Sequence, residues 1–188
     1  MATASTALRR LDRYDWLVQG IETLRSSGID AVRVEPMARL LGVTKGSFYW
    51  HFKDRGEFLD RLLEYWETEM TDKIAAHVAH AEGQPQKQLL ALLEHIVNLE
   101  INRYDAAVRA WALYDERAAR VVERVDERRL AYIDQLFLDM GFSAEQADIR
   151  SRMSYHYVVG EYTAFVKEPT RAERLAHVRL RYELLTEC

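Results

Sequence analysis

Apolar residues recur at helical spacing along almost all of this 188-residue chain, and no run alternates apolar and polar positions between turn signals as a strand would. Tyr14, Leu17, Val18, Ile21 and Leu24 form one stripe that stops at Ser26-Ser27-Gly28, which predicts a first helix. A second is predicted over about Val34 to Leu41. Pro36 is tolerated in its first turn, where amides lack helical partners, but Arg33 stands where a capping Ser or Thr is usual. Asp54 and Glu57 have capping-box spacing before a long fourth helix, whose stripe is Phe58, Leu59, Leu62, Leu63, Trp66, Met70, Ile74 and Val78. The loop Glu82-Gly83-Gln84-Pro85 breaks the pattern. Helices are then predicted over Leu89 to Ile101, around Tyr104 to Leu113, and from about Glu116 to Met140 with a stop at Gly141. Ser143 and Gln146 box the start of another that ends before Pro169, and Thr170 and Glu173 box the last. The expectation is an all-α chain of about nine helices, divided into residues 1–56 and 57–188.

Between the second and fourth helices, Gly42-Val43-Thr44 is followed by Lys45-Gly46-Ser47-Phe48-Tyr49-Trp50-His51-Phe52. A short helix, a tight glycine turn and a second short helix make a helix-turn-helix, the unit that places its second member in the DNA major groove. Glycine suits the left-handed residue closing the first helix, and Thr44 stands where a side-chain cap would accept a hydrogen bond from an amide of the second. Phe48 and Phe52, four apart, should face the core. Tyr49, Trp50 and His51 then point elsewhere, toward DNA or, for Tyr49, against a neighbouring helix. Lys45 reaches a guanine edge or a phosphate, Gly46 lets the backbone approach the groove, and Ser47 and Thr44 serve phosphates or base edges. Lys53 and Arg55 flank Asp54 at a helix start, where amides and dipole attract phosphate.

The run from Gly42 to Arg55 resembles the recognition helix and following turn of the tetracycline-repressor (TetR) family of regulators. The resemblance covers the N-terminal quarter to third of the chain; beyond it, length and helical layout alone agree. It implies backbone or base contacts for Tyr49 and His51 and a phosphate contact for Arg55. It also implies a cavity in the body for a small apolar or aromatic effector, for which Trp66, Trp111, Tyr114 and Tyr157 are candidates, and dimerisation through the last two helices. There Gly160 permits close approach, and Leu175, Val178, Tyr182 and Leu185 supply an apolar stripe expected to lie between two copies.

Charge sharpens this picture. The net charge of -4 is unusual for a nucleic-acid binder until it is divided. Residues 1–56 carry 9 Lys/Arg against 6 Asp/Glu, a net of +3, and the remainder carries 17 against 24, a net of -7. A basic head on an acidic body confines the electrostatic attraction for phosphates to one end. The one cysteine, Cys188, is the last residue and excludes an intramolecular disulfide. No apolar run is long enough to span a bilayer, and Met1 to Leu11 lacks the apolar segment of a signal peptide, so a cytoplasmic setting is expected.

His77, His80, His95 and His156 do not fall into paired metal-ligand spacing, and solvated side chains are the expectation. No nucleophile elbow, Walker loop or dinucleotide glycine pattern occurs, so neither catalysis nor a cofactor is expected. The reading is a homodimeric repressor on a palindromic operator, released by a small molecule. An activator or ligand-independent regulator of the same fold is the alternative, and a helical interaction module without DNA binding is the rival from another class.

Overall fold

The computed structural model describes residues 11–161, 163 and 169–187, and for residues 79–82 the backbone alone. The N-terminal segment before Leu11, Tyr162, Phe165, Cys188 and the side chain of His80 lie outside the described residues.

All regular elements among the described residues are helical: α1 (Arg13–Ser27), α2 (Val34–Leu40), α3 (Lys45–Tyr49), α4 (Arg55–Glu67), α5 (Lys73–Glu82), α6 (Pro85–Asn98), α7 (Ile101–Ala112), α8 (Glu116–Asp139), α9 (Ala144–Gly160) and α10 (Arg171–Thr186). A single 3₁₀ turn, Ile29–Ala31, precedes α2. The predicted fourth helix is α4 and α5 joined without interruption by a π turn, Thr68–Asp72, so these elements make nine helical runs, as the apolar pattern indicated. The pattern could not show the π turn, because one inserted residue leaves the stripe from Trp66 to Val78 intact. In the structure the Arg129 guanidinium donates to the Met70 carbonyl at 3.0 Å within this turn, and a side chain bonding into the helical ladder is a recognised cause of such widening.

The predicted caps divide into two groups. Ser143–Gln146 and Thr170–Glu173 form complete capping boxes. Asp54 accepts from the Glu57 amide at 2.9 Å, but the Glu57 carboxylate takes the Lys53 amide at 2.7 Å and Arg13 at 2.9 Å, not the Asp54 amide. Thr44 occupies the N-cap position of α3 with an extended backbone, yet its side chain makes no capping hydrogen bond. That expectation is corrected: its carbonyl, not its hydroxyl, receives the Ser47 amide, at 3.0 Å. The break between α6 and α7 falls at Glu100, before Ile101 rather than after it. Glu100 adopts φ 51°, a left-handed conformation that costs a residue with a Cβ free energy. Nothing in its side chain announces this.

The chain divides into two units, Met1–Leu62 and Leu63–Cys188. The division falls six residues beyond the expected end of the head, because Phe58, Leu59 and Leu62 of α4 are buried with the helices that precede them. In the first unit the core is aromatic. Trp16, Phe48, Phe52 and Phe58 are all fully buried, with ring centroids 5.0–5.4 Å apart in mainly edge-to-face contacts. Gly20 makes this possible: a Cβ there would lie 2.6 Å from the Phe58 ring. In the second unit α8 packs along α7 and α9, and α6 along α5 and α10. Its core includes Leu89, Leu93, Val97, Phe137, Ala147 and Val178.

Candidate nucleic-acid interface and body cavity

The geometry of the head begins with Gly42, whose φ of 69° turns the chain out of α2. α3 is only five residues long, too short to be stable alone, and derives its position from Phe48 and Phe52, clamped into the aromatic core. With that face buried, the other side of α3 is presented outward. Thr44, Lys45, Gly46, Tyr49, Trp50 and Lys53 are exposed, while Ser47 and His51 are half-buried. Tyr49 also leans edge-on against the Phe48 ring at 5.3 Å, so packing and exposure coexist in one residue. Lys45 lies 3.5 Å from Glu35 across the turn, with both side chains about two-thirds exposed. Such a surface pair contributes little and is easily exchanged for a stronger anion.

Arg55 is held differently from expectation. Its Nε donates to the Val32 carbonyl at 2.8 Å and its Nη2 to the Ile29 carbonyl at 3.1 Å, tying the turn before α2 to the start of α4. The guanidinium therefore has a structural task on backbone carbonyls that spacing alone could not reveal. Conversely, Arg33 and Arg39 join Lys45 and Tyr49 around one shallow depression lined also by Val34, Glu35 and Pro36. Neither arginine was picked out from the sequence as a DNA contact. The available signal was the charge excess of the head, which does not say which face holds it.

The body contains a cavity of about 270 Å³ between α5, α6, α7, α8, α9 and the π turn. Its walls are chiefly Met70, Ile74, Leu93, Ile96, Ile133 and Val158. Asp105 and Arg129 form a buried pair at its edge; Asp105 also accepts from the Trp66 indole at 2.9 Å, and Arg129 donates to Thr71 at 2.8 Å. Beside it, Arg109 grips Asp126 through both carboxylate oxygens, and the Tyr155 hydroxyl donates to Asp126 at 2.6 Å. Burial raises the Tyr155 hydroxyl above its ordinary range, which keeps it a donor.

None of the four aromatic residues chosen for a ligand lines this cavity. Trp66 is fully buried behind it, with its indole committed to Asp105. Trp111 is buried and hydrogen-bonds Asp115, the cap of α8. Tyr114 is 90% exposed at the turn after α7, and Tyr157 is half exposed, with the Arg181 guanidinium 4.0 Å from its ring centroid. The aromatic residues that do line it are Tyr132 and Tyr155. They belong to the same class, but choosing among ten tyrosines requires knowing which helix faces meet.

The dimer expectation needs a similar correction. Val178 and Leu185 are buried in the chain's own core, with Leu175 and Tyr182 packed against it, so that stripe faces α6 and not a second copy. Gly160 has open space beside it. On the last two helices, the large apolar residues left outside are Ile149, Met153 and Tyr157 on α9, and Leu180 and Leu184 on α10.

Comparison with known proteins agrees with this geometry. Residues 17–62 match the bacterial regulatory proteins of the tetR family. The chain is 29% identical over 70 residues to the HTH-type transcriptional regulator AcrR of Shigella flexneri, covering 37% of this chain and 33% of that protein. To BetI of Cronobacter sakazakii it is 26% identical over 117 residues, 58% of this chain and 57% of the relative. The chain thus spans from a third to just over half the length of these relatives. The whole fold is shared more widely: the transcriptional regulator FadR of Bacillus subtilis, solved in complex with stearoyl-CoA, superposes with a TM-score of 0.68 over 94% of this chain and 98% of that one, at 15% identity. Residues 17–62 are thus those of the tetR family of bacterial regulatory proteins, and the chain is similar to its transcriptional regulators. No helix among the described residues is long and apolar enough to cross a membrane.

Proposed function

We propose that this protein is a homodimeric DNA-binding repressor that leaves a palindromic operator when a small molecule occupies the body cavity. The observation that carries the reading is the outward face of α3. A rigid aromatic anchor behind it holds Lys45, Tyr49 and the neighbouring Arg33 and Arg39 around a single depression. In this reading a phosphate or guanine replaces Glu35 as the partner of Lys45, Thr44, Gly46, Ser47, Trp50, His51 and Lys53 flank the contact, and Arg55 keeps the turn in register. One head makes few base contacts, so two heads spaced by about one helical turn, or a multiple, supply affinity and specificity. The apolar residues exposed on α9 and α10 support pairing through those helices, on the face carrying Met153 rather than Val178. A ligand releases DNA only if it binds the two arrangements of the dimer with different affinity.

Genome-wide capture of bound DNA, followed by gel shifts on the recovered sites, tests the reading. Lys45→Ala should change base preference, whereas Arg39→Ala should weaken all sequences alike and reduce the slope of log K against log salt by roughly one unit. Recovery of no sequence above background sinks it. Sedimentation of Met153→Asp should show folded monomers; an unchanged dimer places the pairing elsewhere.

A further inference from the structure

Two residues lining the cavity, Asn102 and Ser154, are almost wholly buried, and their Oδ1 and Oγ atoms have no hydrogen-bond partner; the hydroxyl of Tyr132, a third lining residue, is likewise unpartnered. Buried polar atoms without partners are costly; the three oxygens are closed to water, so a molecule in the cavity reaches them as neighbouring side chains shift, and satisfying three such atoms offsets that shift. The Asn102 amide cannot be turned to relieve the problem. Its nitrogen donates to the Val158 carbonyl and to the Glu161 carboxylate, both at 3.0 Å, and neither group can donate in return. Glu161 is itself held at 2.8 and 3.0 Å by the buried Arg174. Oδ1 is therefore a fixed acceptor. The left-handed Glu100, two residues before it, starts α7 at the cavity wall, a local strain of the kind found where a functional group must be placed.

The charges of the lining are already matched. Arg129 is engaged with Asp105, Thr71 and the Met70 carbonyl, and Arg128 pairs with Glu67 and Asp72. Among the described residues of the lining, an anion would meet no uncommitted cation and would be desolvated without compensation. At about 270 Å³, the space also falls just below the roughly 300–1,000 Å³ of pockets that take drug-sized ligands.

Resting on the ligand-responsive reading above, we infer that the effector is a compact, uncharged, mainly apolar molecule carrying a hydrogen-bond donor, which is received by Asn102 with Ser154 and Tyr132 beside it. Phenols and alcohols belong to this class; carboxylates and phosphorylated compounds do not.

Calorimetric titration of the full-length protein, without DNA, tests this with 4-propylphenol, its methyl ether, 4-propylbenzoate and stearoyl-CoA. The phenol should bind about fivefold or more tightly than the ether, which lacks the donor, since one hydrogen bond contributes about that factor. The benzoate at neutral pH should bind more weakly than the phenol by at least roughly a hundredfold. Asn102→Leu should erase the preference for phenol over ether. Because Asn102 also supports α9, Ser154→Ala serves as a second, milder variant, and it should weaken phenol about fivefold while leaving the ether unchanged. Equal binding of phenol and ether overturns the donor requirement, and benzoate binding as tightly as phenol overturns neutrality. If stearoyl-CoA binds and the three small probes do not, the compact neutral class is wrong while ligand control stands. Binding of none overturns the inference without touching DNA recognition, which the gel shifts judge separately.

Discussion

The two units of this protein are filled in opposite ways. The head has four fully buried aromatic rings in mutual contact, and among its described buried residues Thr23 alone is polar. The body buries Thr71, Asn102, Asp105, Ser151, Ser154 and Arg174 together with its aliphatic core, and encloses a cavity as well. A dry aromatic cluster holds a five-residue helix in one position, which suits a surface that must be rigid to read a groove. Polar groups and empty space in the body lower its stability relative to a filled core, and under the proposed function they supply specificity for an effector. The head's interior thus serves its own surface, whereas in the proposed function the body's interior is itself the binding surface.

The largest effect expected from this contrast is at Phe48. Phe48→Ala should destabilise the head by about 3–5 kcal/mol, abolishing DNA binding while the body keeps its own unfolding transition. Denaturation followed by both far-ultraviolet circular dichroism and tryptophan fluorescence checks this, and a single transition shifted as a whole breaks the contrast between the units. Asp105→Ala should come next, costing about 3–5 kcal/mol in the body because it leaves Arg129 buried without its counter-charge. The double variant Asp105→Leu with Arg129→Met should recover most of that loss. If it does not, the pair matters for reasons beyond charge compensation.

Gly20→Ala should destabilise the head by about 1–3 kcal/mol, since the added methyl group meets a Phe58 ring that has no space to move into. An unaltered midpoint in urea would mean that the aromatic cluster is looser than its contacts indicate. The smallest effect is at Asp115, the cap of α8. The Arg117 guanidinium, with the Ala118 and Arg117 amides and the Trp111 indole, lowers its carboxyl to about 2. A carboxylate depressed in the folded state stabilises the fold above its unfolded pKa near 3.8, and that contribution disappears as pH falls toward 2. The stability difference between the parent and Asp115→Asn should therefore shrink between about pH 5 and pH 2.5; a constant difference would show that the cap acts without its charge.

Much of this architecture follows from local chemistry alone. The apolar stripes, the glycines at 28, 42, 83 and 141 and the capping boxes at Ser143 and Thr170 depend on neighbours within a few residues, so they could be read from the sequence. Each of these four glycines has a positive φ. Phe48 and Phe52 were legible as the anchor of α3 for the same reason: four-residue spacing places them on one face whatever surrounds it. The outward residues of α3 followed by subtraction. What tertiary structure alone decided was which of two apolar faces turns inward. Val178 and Leu185 went to the core, leaving Leu180 and Leu184 outside, because the side of α10 that carries Val178 and Leu185 is the one that packs into the body. The same holds for Arg55, whose carbonyl partners lie 23 and 26 residues away, and for the cavity, assembled from six segments of the body. Periodicity assigns a residue to a face of its own helix; the partner of that face, and the space left between partners, exist only once the helices have packed.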